Sequence, residues 1–246
     1  MIAAVVTHIK PGTIDRMQIP PSDQRSRPVT SNQTHTHPRL PEVLRRHLEN
    51  AERKPVARHN REAFSTLLRR LEATPGPLVI DSFCGTGQST ALLANRHPGH
   101  LVVGIDRSAS RLAKHVGSES GNYLLLQAEC EPLWRLLAEA GIGAHYHYLL
   151  YPNPWPKAGH LQRRIHGHPG FAWLLQLGGA VELRSNWQIY VEEFGLAMQL
   201  AGHPGRVAMV PDPGDTGEDL TLFERKYRYS GHMLWSFKVE LGPRTA

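Results

Sequence analysis

From Pro77 onward the chain alternates short apolar runs with stretches of helical periodicity, and this alternation leaves few folds open. PLVIDSF, LVVGID, YLLLQAE and YHYLLYP are short and apolar, as buried strands are. QSTALLANRH, SASRLAKHV and CEPLWRLLAEAG lie between them and read as helices. HPGFAWLLQLGG, AVELRSN and WQIYVEEFGLAMQLAG continue as helix, strand and helix, and RVAMVP and HMLWSFKVEL end the series as two more strands. The order predicts one α/β domain with a doubly wound, mostly parallel, seven-stranded sheet and helices on both faces. A length of 246 residues with 40% hydrophobic content suits a core of that size.

Residues 1–38 have a different texture. Pro11, Pro20, Pro21, Pro28 and Pro38 interrupt any helix, with Ser, Thr and Gln between them. A flexible N-terminal arm is expected here, ahead of a domain spanning 39–246. That domain opens with helices over 39–74, in which Leu40, Val43, Leu44 and Leu48 share one face, as do Phe64, Leu67, Leu68 and Leu71. Between Arg39 and Arg70 nine Lys/Arg stand against four Glu, a local +5 in a chain of formal charge +6. Such a flank suits a polyanion such as RNA, and equally suits a solvated helix face.

Only Cys84 and Cys130 occur, so no disulfide framework is implied and a reducing cytoplasm is expected. No apolar run approaches the ~20 residues that span a bilayer, and MIAAVVTHIK lacks the length and cleavage pattern of a secretion signal. His-x-His pairs at 35/37, 145/147 and 166/168 have no Cys or Asp cluster beside them, so no metal site is expected.

The first strand runs into Asp81-Ser82-Phe83-Cys84-Gly85-Thr86-Gly87. Glycines there allow a sharp turn and close approach of a ligand to the backbone. Neither Walker A nor the full G-x-G-x-x-G is present, because no Gly-Lys-Ser/Thr follows and Thr90 takes the last glycine position. Asp106 ends the second strand 19 residues after Gly87, where an acid can accept ribose hydroxyls. Asp81, before the glycines, suits a ligand with positive charge better than a pyrophosphate. S-adenosylmethionine carries a sulfonium and an ammonium, so Asp81, Gly85, Gly87 and Asp106 are expected to hold it, with Glu129 near the adenine.

Three further blocks carry a family resemblance. Pro152-Asn153-Pro154-Trp155-Pro156-Lys157, followed by His160, Arg163 and Arg164, resembles the P-D-P-W-P-K…H…R-R pattern of the bacterial tRNA (guanine-N7)-methyltransferases. Leu183 to Asn186, with Tyr190 beyond, resembles their Thr-Asp…Tyr block, and Thr221-Leu222-Phe223-Glu224 with Gly231-His232 resembles their T-x-F-E…G-H ending. Thr30 to Gln33 matches an N-terminal T-x-x-Q. The resemblance implies a Rossmann-like class I S-adenosylmethionine-dependent methyltransferase. It implies an acceptor pocket shaped by Asn153, Ser185, Asn186, Thr221 and Glu224, and contacts to tRNA from Lys157, His160, Arg163 and Arg164.

The chain departs from that pattern at matched positions: Asn153 and Asn186 replace aspartates, and Ser185 replaces a threonine. An amide accepts without charge assistance, and its NH₂ needs an acceptor of its own. Other readings stay open beside guanine N7, among them another RNA or a small-molecule acceptor for a pocket without the two carboxylates. Asn153-Pro154-Trp155 also resembles the Asn/Asp-Pro-Pro-aromatic corner of amino-group methyltransferases, which act on an exocyclic amine. A relative that binds RNA without catalysis would tolerate the same changes.

Overall fold

The computed structural model describes residues 25–50, 54–117, 121–214 and 219–242. The strands are β1 (Leu78–Ser82), β2 (Leu101–Asp106), β3 (Tyr123–Gln127), β4 (Tyr146–Leu150), β5 (Ala180–Ser185), β6 (Arg206–Met209) and β7 (Trp235–Glu240). They form one sheet in the order β3-β2-β1-β4-β5-β7-β6. β1 to β5 pair in parallel, whereas β7 runs antiparallel to both β5 and β6. This is the doubly wound sheet that the alternation predicts. Every residue of β1 and β2 is buried, as central parallel strands covered on both faces require.

The helices are α1 (Leu40–Glu49), α2 (Arg58–Ala73), α3 (Gln88–Arg96), α4 (Ala109–Leu112), α5 (Cys130–Glu139), α6 (Phe171–Gln176), α7 (Gln188–Leu200) and α8 (Leu222–Tyr229). Strand residues of alternate parity sort into two cores, as a period of two demands. Leu78, Ile80 and Val103 pack with α5, α6 and α7, onto which α1 and α2 are laid. Val79 and Val102 face the other way, with Leu93 of α3.

One local expectation is corrected, and two features are added to the reading. The helix read over SASRLAKHV shrinks to four residues, because none of them is buried and nothing holds a longer one. Helix α8 was not legible as one, being a short charged segment, LFERKYRY, with Glu224 as its one buried residue. Of the arm, residues 25–38 lie against the domain with defined hydrogen bonds to Pro156, Glu193 and Ser230; residues 1–24 lie outside the described residues. No described helix is long and apolar enough to cross a membrane.

Candidate active site

Parallel strands all end on the same edge of the sheet, so the turns after β1, β2, β4 and β5 meet there. Three non-glycine residues adopt left-handed backbone in the described structure, and all lie on this edge: Phe83 (φ 63°) after β1, and Tyr151 (φ 54°) and Trp155 (φ 47°) after β4. Each such residue costs ~1–2 kcal/mol, and strain of this kind persists where surrounding structure enforces it.

The turn after β1 is built around two buried carboxylates. Asp81 is fully buried, and its Oδ2 accepts from the hydroxyls of Ser89 (2.6 Å) and Thr90 (2.7 Å) on α3. Its Oδ1 has no protein partner. Burial pushes the Asp81 carboxyl up to about 6, against the two hydroxyl bonds that favour ionisation. A buried acceptor oxygen without a donor is costly, and a cation beside it would relieve that cost. Gly85 (φ 63°) and Gly87 (φ 76°) both need the left-handed freedom of glycine. A Cβ on Gly85 would meet nothing within 4 Å, so the backbone fronts open space, whereas one on Gly87 would lie 2.6 Å from Leu125. The turn therefore fits a cationic ligand laid against bare backbone.

Asp106 is 2% exposed and already serves the turn. Its Oδ2 accepts from Gly85 N–H (3.0 Å), and its Oδ1 accepts from Ser108 N–H (2.8 Å) and pairs with Arg111 (3.1 Å). The Arg111 side chain that pairs with it is half-exposed. Glu129 lies two residues beyond β3, at the N-cap of α5, and pairs with His59 of α2 at 2.6 Å. Its N–H donates to Asn60 (3.1 Å), on the wall of a cleft of about 270 Å³ that Trp173 also lines.

The corner after β4 presents Asn153 and Lys157 to solvent, with Trp155 half-buried between them. Asn153 Oδ1 accepts from Trp155 N–H (3.2 Å), which locks the turn. The Arg163 guanidinium lies 4.9 Å from the Trp155 ring centroid, and His160 meets the same ring edge-on at 5.5 Å. Asn186 follows β5, and its Nδ2 lies 3.1 Å from His232 Nδ1. The amide at 186 thereby has the acceptor that an aspartate would not need.

Three residues expected at the acceptor pocket, and one expected at RNA, have their polar groups engaged within the protein. Ser185 is 1% exposed, and its hydroxyl accepts from Trp187 N–H at the start of α7. Thr221 caps α8, its Oγ1 accepting from Glu224 N–H (2.9 Å). Glu224 is buried, its carboxylate held by Arg184 (2.9 and 3.1 Å) and Arg228 (3.3 Å). Arg164, expected at RNA phosphate, is fully buried. It donates to the carbonyls of Trp155 and Lys157, pairs with Glu193 at 2.5 Å and stacks on Trp187.

Glu193 was missed, because in WQIYVEEFGLAMQL it reads as one of two acids on a helix surface. It is fully buried on α7, where Oε1 accepts from Gln33 and His37 N–H and Oε2 accepts from Arg164 and His166. Burial alone would raise its carboxyl, but these donors outweigh it and hold the group down at about 2. The His-x-His pairs have separate duties. His166 bonds Glu193, and His147, buried and held down at about 3, bonds Ser82 (2.8 Å), which also accepts from Trp134.

Residues 75–236 match a family model described as "Putative methyltransferase". The chain belongs to this methyltransferase family. The methyltransferase is 29% identical over 172 residues to the tRNA (guanine-N(7)-)-methyltransferase of Thiobacillus denitrificans, covering 66% of this chain and 74% of that one. It is 34% identical over 177 residues to the protein of the same name from Stutzerimonas stutzeri, covering 67% and 72%. Among solved structures, a 16S rRNA methyltransferase, KamB, shares the fold of the methyltransferase with a TM-score of 0.52 at 18% identity, over 72% of this chain and 94% of that one.

Proposed function

We propose that the protein transfers a methyl group from S-adenosylmethionine to N7 of a guanine in tRNA. The observation that carries this reading is the meeting, on one sheet edge, of a bare glycine turn over an unpartnered Asp81 oxygen and the strained Asn153–Lys157 corner. The names of the relatives supply the acceptor.

When bound, S-adenosylmethionine supplies an electrophilic methyl group on a sulfonium. Asp81 offers negative charge to its cationic end, the Gly85–Gly87 backbone lets it approach, and Asp106 and Glu129 would hold the ribose and adenine. Guanine N7 has a lone pair and no proton at neutral pH, so the chain needs no general base. Its task is to place the acceptor in line, and positioning of that kind supplies several kcal/mol. Asn153 and Asn186 are neutral amides suited to orienting a base by its N1–H and amine edge. Arg163 and Lys157, exposed beside them, suit tRNA phosphate.

An exocyclic amine is a weaker fit. The Asn153-Pro154-Trp155 corner has Trp where the amino-group enzymes carry their second proline. The test is to incubate the protein with methyl-labelled S-adenosylmethionine and bulk tRNA lacking the modification, then digest to nucleosides for mass spectrometry. Label in 7-methylguanosine is expected; label in another nucleoside would overturn the assignment.

A further inference from the structure

Residues 26–37 touch three separate pieces of the acceptor half. Ser31 Oγ donates to the Pro156 carbonyl at 2.6 Å. Gln33 uses both ends of its amide, Nε2 donating to Glu193 (2.6 Å) and Oε1 accepting from Arg164 (3.0 Å). Arg164 in turn donates to the carbonyls of Trp155 and Lys157, so this one guanidinium ties the corner to the segment. At the other end, Ser26 N–H donates to Ser230 Oγ (2.8 Å), and the Ser26 carbonyl faces His232 Nε2 at 3.0 Å.

That last contact decides a side-chain orientation. A carbonyl only accepts, so His232 Nε2 carries a hydrogen. Nδ1 of the neutral ring is then an acceptor, which requires the NH₂ of Asn186 to point at it. Asn186 Oδ1 is left without a protein donor among the described residues. No hydrogen bond joins residues 26–37 to the glycine turn, to Asp81 or to Asp106 among the described residues.

We propose that residues 26–37 form a strap that positions the acceptor pocket, holding the corner through Ser31 and Gln33 and the Asn186 amide through Ser26 and His232. It rests on the corner being the acceptor site and adds the element that sets its geometry. Glu193 and Arg164 are positioning residues in this account. The strap lies away from the donor turn, so loosening it separates acceptor kinetics from donor affinity.

The experiment uses the full chain with Gln33→Met, which keeps length and bulk but removes both hydrogen-bonding groups. Ser31→Ala is the milder second variant. Hydrogen exchange of peptides covering 153–160 is expected to speed up about tenfold while those covering 83–90 stay unchanged. Donor affinity is expected to stay within about twofold and kcat/KM for tRNA to fall about tenfold or more, as small misplacements of reacting groups do. Unchanged exchange at the corner in both variants would overturn the strap. Faster exchange with unchanged tRNA kinetics would overturn its positioning role. A wild-type protein that leaves tRNA unlabelled, with corner exchange still dependent on Gln33, would sink the tRNA reading and leave the strap's hold on the corner standing.

Discussion

Asp81 is ionisable, fully buried and half-satisfied, with its carboxyl pushed up to about 6. Its raised value means that the ionised form costs folding stability above about 6, a cost relieved as pH falls toward the ordinary value of 3.8. Two pKa units correspond to roughly 3 kcal/mol at most. A cationic donor reverses the preference by favouring the ionised form. Affinity for S-adenosylmethionine should therefore rise as pH rises through about 6 and level off above it. Calorimetric titration between pH 5 and 8 would check this, and Asp81→Asn should bind weakly with no such dependence. A wild-type affinity that is flat across the window would remove Asp81 from the donor site.

At the scale of elements, the corner and α7 are joined by one buried ion pair. Arg164 and Glu193 are both fully buried and hydrogen-bonded on every side. Removing one partner of such a pair leaves an uncompensated charge and typically costs ~3–5 kcal/mol. Arg164→Ala should lower stability by that order in denaturant unfolding. Its neighbour Arg163 is exposed on the Trp155 ring, so Arg163→Ala should change stability by less than ~1 kcal/mol. That variant should instead weaken tRNA binding and reduce its salt slope by about one unit. Equal stability losses for the two arginines would show that burial does not separate their roles.

Across the whole molecule, the strand order brings both halves of the site to one edge, and the basic flank lies alongside. Helix α1 packs against the 3-10 turn Ile165–Gly167, which follows the corner after the intervening 3-10 helix Ala158–Arg163. Several of the flank's arginines are engaged by glutamates on the same helices, as in Arg46–Glu42 and Arg58–Glu62. On an RNA partner its net charge would act as a field more than through single contacts. On the proposed reading, specificity would then rest on the two amides. Restoring aspartate at 153 and 186 adds charge to the pocket and takes from His232 Nδ1 the hydrogen that Asn186 supplies. The double variant should label 7-methylguanosine with kcat/KM changed by about tenfold or less, roughly 1.4 kcal/mol. A switch in the labelled nucleoside would show that the amides set the chemistry.

The alternation of apolar runs and helical periods was enough, by itself, to determine the sheet class, the seven strands and the glycine turn, because those depend on local patterns of period two and 3.6. The corner was legible too, since three prolines around Asn153 and Trp155 restrict the backbone locally. What the side chains there do was decided only by contacts between residues far apart in the chain. Arg163 and Arg164 are adjacent and identical in type, yet one lies on the surface and the other meets Glu193 and Gln33, 29 and 131 positions away. Glu224, whose place in the sequence names no partner, is engaged by Arg184, 40 positions earlier. The prolines of residues 25–38 rule out a helix, but whether such a segment docks depends on acceptors that β4 and α7 supply. Local periodicity carries no record of such pairings, because hydrogen bonds between distant groups exist only once the sheet has brought its strand ends together.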